Sequence, residues 1–108
     1  MKDGKVEVIG QKAVFYVPAN KLDETMKATI HDFCIENFNA YTKDLTHSYG
    51  VWRRGKDSEL VEDQCVRYEV SFDTGMPQFL DFLSHLCRLM GEECIYLTMK
   101  DHGYLIKP

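Results

Sequence analysis

Between Cys65 and Phe72 the chain alternates without a break. Val66, Tyr68, Val70 and Phe72 form one set, and Cys65, Arg67, Glu69 and Ser71 form the other. Successive side chains of a strand point to opposite faces, so this run demands a strand with one buried and one uncovered face. Such a strand fits a sheet packed on one side only. The preceding arm, Leu45–Trp52, alternates less cleanly, and the polar turn Gly55-Lys56-Asp57-Ser58 joins the two as a β-hairpin. A tight turn there sets odd positions of the first arm opposite even positions of the second. Leu45, Tyr49 and Val51 are therefore expected inward with Val66, Tyr68 and Val70, a choice that one bulge would reverse.

A helical pattern flanks the hairpin on each side. Leu22, Met26, Ile30, Phe33, Cys34 and Phe38 recur at three- and four-residue spacing, which predicts a helix over residues 21–37. Asn20 would cap it, with Asp23 at the third helical position. Phe79, Leu80, Leu83, Leu86, Cys87 and Met90 make a second stripe, with Asp73 or Thr74 as cap, Pro77 in the first turn and Gly91 as the stop. Ala13–Val17 reads as the first main strand and Cys94–Met99 as the last. Val6–Ile9 is an extra strand or arm. Tyr104–Ile106 is a short edge strand after a turn at Asp101-His102-Gly103. The order β-α-β-β-α-β predicts an α+β protein of one domain, residues 1–108. Its architecture is the ferredoxin-like two-layer sandwich, an antiparallel sheet with both helices on one face.

Thirteen basic and seventeen acidic side chains leave a net charge of -4. That balance excludes a dedicated binder of nucleic-acid backbones, which needs a basic stripe. No stretch reaches the ~20 apolar residues of a membrane span, and the N-terminus lacks a signal-peptide core. A soluble cytoplasmic protein with reduced thiols is expected. Cys34, Cys65, Cys87 and Cys94 contain no Cys-x-x-Cys pair. Cys34 and Cys87 fall on helix stripes and read as core, which leaves Cys65 and Cys94 as the better reactive candidates. His31, His47, His85 and His102 lack the spacing of a metal site, so no metal and no cofactor is expected. His47 beside Tyr49 or Glu69 could move a proton.

The uncovered sheet face should present Tyr16, Arg67, Glu69, Tyr96 and Thr98, with Trp52 near its edge. Aromatics mixed with arginine suit a contact surface. The hairpin adds basic Arg53 and Arg54 on one arm and acidic Glu62 on the other. These nine residues make the expected binding surface, and no catalytic residue is assigned. The first expectation is a non-catalytic interaction module that forms a homodimer or docks a protein partner through this face and the charged segment 53–63. A planar small ligand stacked on the aromatics comes next. Nucleic acid and membrane are disfavoured.

Gly50-Val51-Trp52, Gly55, Leu60-Val61-Glu62 and the run after Pro77 resemble an uncharacterised family of small bacterial proteins with a Gly-x-Trp strand motif. The resemblance spans residues 13–99 and implies a ferredoxin-like fold, with no activity attached. Small proteins of this topology also occur among phage-encoded inhibitors of host defence, such as anti-CRISPR proteins. Two alternatives follow: an inhibitor of a host defence protein, or a small enzyme or ligand-binding domain with its pocket at a dimer interface.

Overall fold

The alternation at residues 65–72 belongs to a longer strand. The computed structural model describes residues 4–54 and 59–108, so the predicted turn Gly55–Ser58 lies outside the described residues. Strand β4 runs Glu59–Phe72, and its even-numbered side chains from Val66 to Phe72 are buried. That half pairs antiparallel with β1 (Gln11–Pro18), setting Phe15 opposite Tyr68 and Ala13 opposite Val70. β1 pairs on its other side with β5 (Ile95–Met99), and β5 pairs with β6 (His102–Ile106). The free edge of β4 takes two short partners. β2 (Thr42–Lys43) pairs at Glu69 and Tyr68, and β3 (Ser48–Arg54) pairs along Glu59–Cys65. The result is a six-stranded antiparallel sheet in the order β2-β4-β1-β5-β6, with β3 on β4.

Helices α1 (Glu24–Phe38) and α2 (Met76–Met90) cover one face of this sheet. Phe33 and Phe82 stack between the helices at 3.9 Å. Phe79 packs edge-on to Phe15, which itself stacks on Tyr68 at 5.2 Å. Ile30, Cys34, Leu83, Leu86 and Cys87 complete the core with strand residues Val17, Ile95 and Leu97. Both predicted stripes therefore face the sheet, and the molecule is an α+β two-layer sandwich.

Several local expectations are corrected. Asn20 does not cap α1. Ala19–Lys21 forms a 3-10 turn after Pro18, and Asp23 is the cap, its Oδ1 accepting from the Met26 amide at 2.8 Å. Asp23 holds extended backbone, the geometry an N-cap requires. Helix α2 is entered from Gly75 at φ 94 and not from Asp73 or Thr74. Gly91 ends it at φ 66, with the next amide, Glu92, reaching back to the Cys87 carbonyl. The turn after β5 falls on Lys100 and Asp101, both at positive φ, so His102 and Gly103 already belong to β6. Among the described residues Val6–Ile9 pairs with no strand, and it lies exposed as an arm.

The largest correction concerns the first hairpin arm. Tyr49 and Val51 take the same side of the sheet as Val66 and Tyr68, yet they are 64% and 50% exposed, and Leu45, which precedes β3, is 91% exposed. The arm pairs with residues 59–65 rather than 66–70. Register alone fixes the side a residue takes. Burial also needs a helix beneath it, and at this end the sheet has outrun α1 and α2. Among the described residues no helix is long and apolar enough to cross a membrane.

Candidate functional site

The face away from the helices is built by strand parity. Register sets Tyr16 opposite Arg67 and Val14 opposite both Glu69 and Thr98. Because Phe15 faces Leu97, the next position brings Tyr16 beside Tyr96, and the two rings stack with centroids 5.7 Å apart. Tyr96 also leans over Gly103 on β6. Arg67 is held by Glu69 at 3.0 Å and lies 3.9 Å from Asp44. Its hydrogen bond to Glu69 raises the guanidinium further above its usual range, and the Tyr16 hydroxyl adds to this.

The β3–β4 ribbon continues past the end of β1, where Pro18 faces Cys65. Between this ribbon, the sheet and the segment before β5 lies a groove of 590 Å³, lined by Tyr16, Pro18, Trp52, Asp63, Cys65, Glu92, Cys94, Tyr96 and Leu105 with the backbone run 48–53. The Trp52 indole N–H donates to Asp63 Oδ2 at 3.0 Å. The Arg54 guanidinium lies 5.8 Å from the centre of the Trp52 ring and pairs with Glu93 at 2.9 Å. Lys21 donates to the Met90 carbonyl at the end of α2 and lies 3.8 Å from Glu92, which fixes the loop at the groove's other margin. The groove thus combines a stacked aromatic wall, an anchored indole and two carboxylates.

Of the nine residues expected from sequence, Tyr16, Trp52, Arg53 and Tyr96 line this groove. Arg67 and Glu69 share the face but are engaged with each other. Thr98 borders a separate hollow of 330 Å³ with Lys12 and Lys100. Arg54 stands at the groove margin, paired with Glu93 of the segment before β5. Glu62 is on the opposite side of the ribbon, accepting from the Tyr49 hydroxyl, and this bond raises the Tyr49 phenol. His47 bonds Gln64 at 3.1 Å and neither Tyr49 nor Glu69, so the predicted proton-transfer pair does not form. His31 meets the Tyr41 hydroxyl at 2.9 Å, and His85 is exposed.

Cys34 and Cys87 are buried, and Cys65 and Cys94 border the groove. Burial foremost raises the Cys65 and Cys94 thiols; neighbouring carboxylates add to it at both, and Lys107 offsets part of it at Cys94, so neither site favours the thiolate. Among the described residues no cluster of His, Cys, Asp or Glu could hold a metal ion. Sequence reasoning missed Glu92, Pro18 and Leu105 as site residues and took Asp63 only as part of the charged segment 53–63. They converge only because β4 outlasts β1. The 14-residue reach of β4 was the signal available, since residues 59–64, with Leu60 and Val61 among four polar side chains, continue the strand.

The architecture defines a class, the small α+β sandwich with an open aromatic face. No protein family model matches the chain, and no curated protein does. Two solved structures share its fold, both of a phage SAM lyase. The complex with S-methyl-5'-thioadenosine matches with a TM-score of 0.67 at 14% identity, covering 96% of this chain and 95% of that one. The apo state matches with a TM-score of 0.58 at 15% identity, covering 92% and 90%.

Proposed function

We propose that this chain is a ferredoxin-like sandwich whose open-face groove binds an adenosine thioether or sulfonium, and that it cleaves S-adenosylmethionine to S-methyl-5'-thioadenosine. The observation that carries the reading is the groove itself, with the Tyr16–Tyr96 stack at its wall and the Trp52 ring beside it. The near-full-length likeness to a phage SAM lyase with bound S-methyl-5'-thioadenosine supports it. Stacking suits an adenine ring, and each stacked base is worth about 1–3 kcal/mol in comparable aromatic sites.

The chemistry balances without a further reactant. The substrate's own carboxylate oxygen attacks the carbon bonded to sulfur. That carbon–sulfur bond breaks, its electron pair stays on sulfur, and the four-carbon fragment closes as a lactone. A cation and an anion become two uncharged groups, so a site that excludes water favours the step. Asp63 and Glu92 draw the sulfonium in, while Pro18, Leu105 and the aromatic rings offer the reacting end an apolar wall that the bound substrate itself would close. Incubating the purified chain with S-adenosylmethionine should release S-methyl-5'-thioadenosine, read by liquid chromatography. Absence of release above a protein-free control, together with absence of binding, would overturn the reading.

A second reading, the homodimer, rests on exposed Tyr96 and Leu105 on the open face and Leu60 on the ribbon. It predicts a concentration-dependent dimer in sedimentation that Tyr96→Arg or Trp52→Arg splits. The phage origin of both similar structures also supports a phage or mobile-element protein. Docking of a host protein through the charged hairpin is less favoured. Arg54 is engaged with Glu93, and Glu62 with Tyr49.

A further inference from the structure

The ribbon does more than border the groove. Four side chains run in series across its margin: Glu93 pairs with Arg54, Arg54 lies over Trp52, and Trp52 donates to Asp63. They come from the loop before β5, from β3 and from β4, so the series ties the ribbon to the far side of the sheet. Its outer link is a single ion pair with both side chains about half exposed. Such pairs are weak and screened by salt. The inner links fix the plane of the indole.

We propose that Arg54 is a positioning residue: through Glu93 it straps the ribbon across the groove and holds the Trp52 ring against whatever ligand lies there. The strap opens for entry and recloses behind the ligand, at the cost of one exposed ion pair. Its effect on the open–closed balance is therefore modest, up to about fivefold. The ligand part of this inference rests on the reading of the groove as an adenosine-ligand site. The strap itself does not.

Trp52 is the only tryptophan in the sequence, so its emission reports the strap without any ligand. Acrylamide should quench Trp52 more strongly in Arg54→Glu and Glu93→Arg than in the wild type, with Arg54→Gln between them. The double variant R54E/E93R should return part of the way to wild type, because it restores the ion pair but not the cation over Trp52, and 1 M NaCl should move the wild type towards Arg54→Glu, since screening at that salt reaches about 3 Å. Equal quenching in wild type and Arg54→Glu, or no recovery in the double variant, would overturn the strap. In a separate arm, S-methyl-5'-thioadenosine should leave Arg54→Glu about two- to fivefold faster than wild type, with a smaller change in association. Unchanged dissociation would remove Arg54 from ligand retention. No binding by the wild type would count against the groove reading alone, and the quenching series would still decide the strap.

Discussion

Tyr16 and Tyr96 stack across β1 and β5 at 5.7 Å, on the sheet face that neither helix touches. Their neighbours Phe15 and Leu97 point the other way and are fully buried. One residue step therefore separates a position that holds the fold from a position that lines the groove. Tyr96→Ala should leave the unfolding midpoint nearly unchanged and weaken binding of S-methyl-5'-thioadenosine by about 5- to 150-fold, in line with about 1–3 kcal/mol per stacked ring. Calorimetric titration beside urea denaturation separates the two effects. Equal affinity in the variant would remove the stack from the site.

The core should respond in the opposite way. Phe79 touches Phe15, Phe38 and Phe72, so it joins both helices to the sheet. Phe79→Ala is expected to cost about 3–5 kcal/mol by leaving a cavity among rigid rings. Leu45→Ala, at a position 91% exposed, should stay within about 0.5 kcal/mol of the wild type. Urea midpoints of the two variants give the contrast directly.

Alkali should destabilise the core. Burial pushes the Cys34 thiol and the Tyr68 phenol each up to about 12. In the unfolded chain they ionise near their ordinary values of 9.0 and 10.0. Below those values both states are protonated and the stability is whole. As pH rises towards 12 the unfolded state loses protons first, and each unit inside the window removes about 1.4 kcal/mol per group. Urea midpoints should fall steadily from pH 8.5 to 11, and the fall should be shallower in Cys34→Ala.

Gly10 offers a test of backbone geometry. It sits at φ 119, and a Cβ there would come within 2.2 Å of the Phe72 carbonyl carbon. Gly10→Ala should lower stability by about 1–3 kcal/mol through strain and displacement of the end of β4. Thermal denaturation measures it. Gly50→Ala, where a Cβ would meet nothing within 4 Å, is the matched control.

What sequence could reveal depended on how local the cause was. The alternation of Val66–Phe72 and the two helix stripes each carry their own period, so the sandwich and the sidedness of Tyr16, Arg67, Glu69 and Tyr96 were legible. Cap positions shifted because Ala19–Lys21 turned once more before Asp23 could act. The groove was not legible as a whole. Asp63 reads as one more charge on a hairpin, and becomes the acceptor for Trp52 only when the register Trp52–Val61 brings it alongside. Glu92 and Cys94 come from the segment between α2 and β5, more than 25 positions further along. Tyr49 and Val51 were assigned the correct side yet not the correct exposure, because no pattern within the arm states where a helix ends.

Gly103 lies beneath the Tyr96 ring, where a Cβ would approach the ring and hydroxyl to 3.1 Å. The position of the groove's aromatic wall is thus set by a side chain that is missing, on the strand furthest from β4. A methyl group there would tilt Tyr96 towards Tyr16 and narrow the slot for a planar guest, with little disturbance of the core. If the groove takes an adenosine ligand, the outermost strand sets the width of its slot from Gly103, a position that does not itself line the groove.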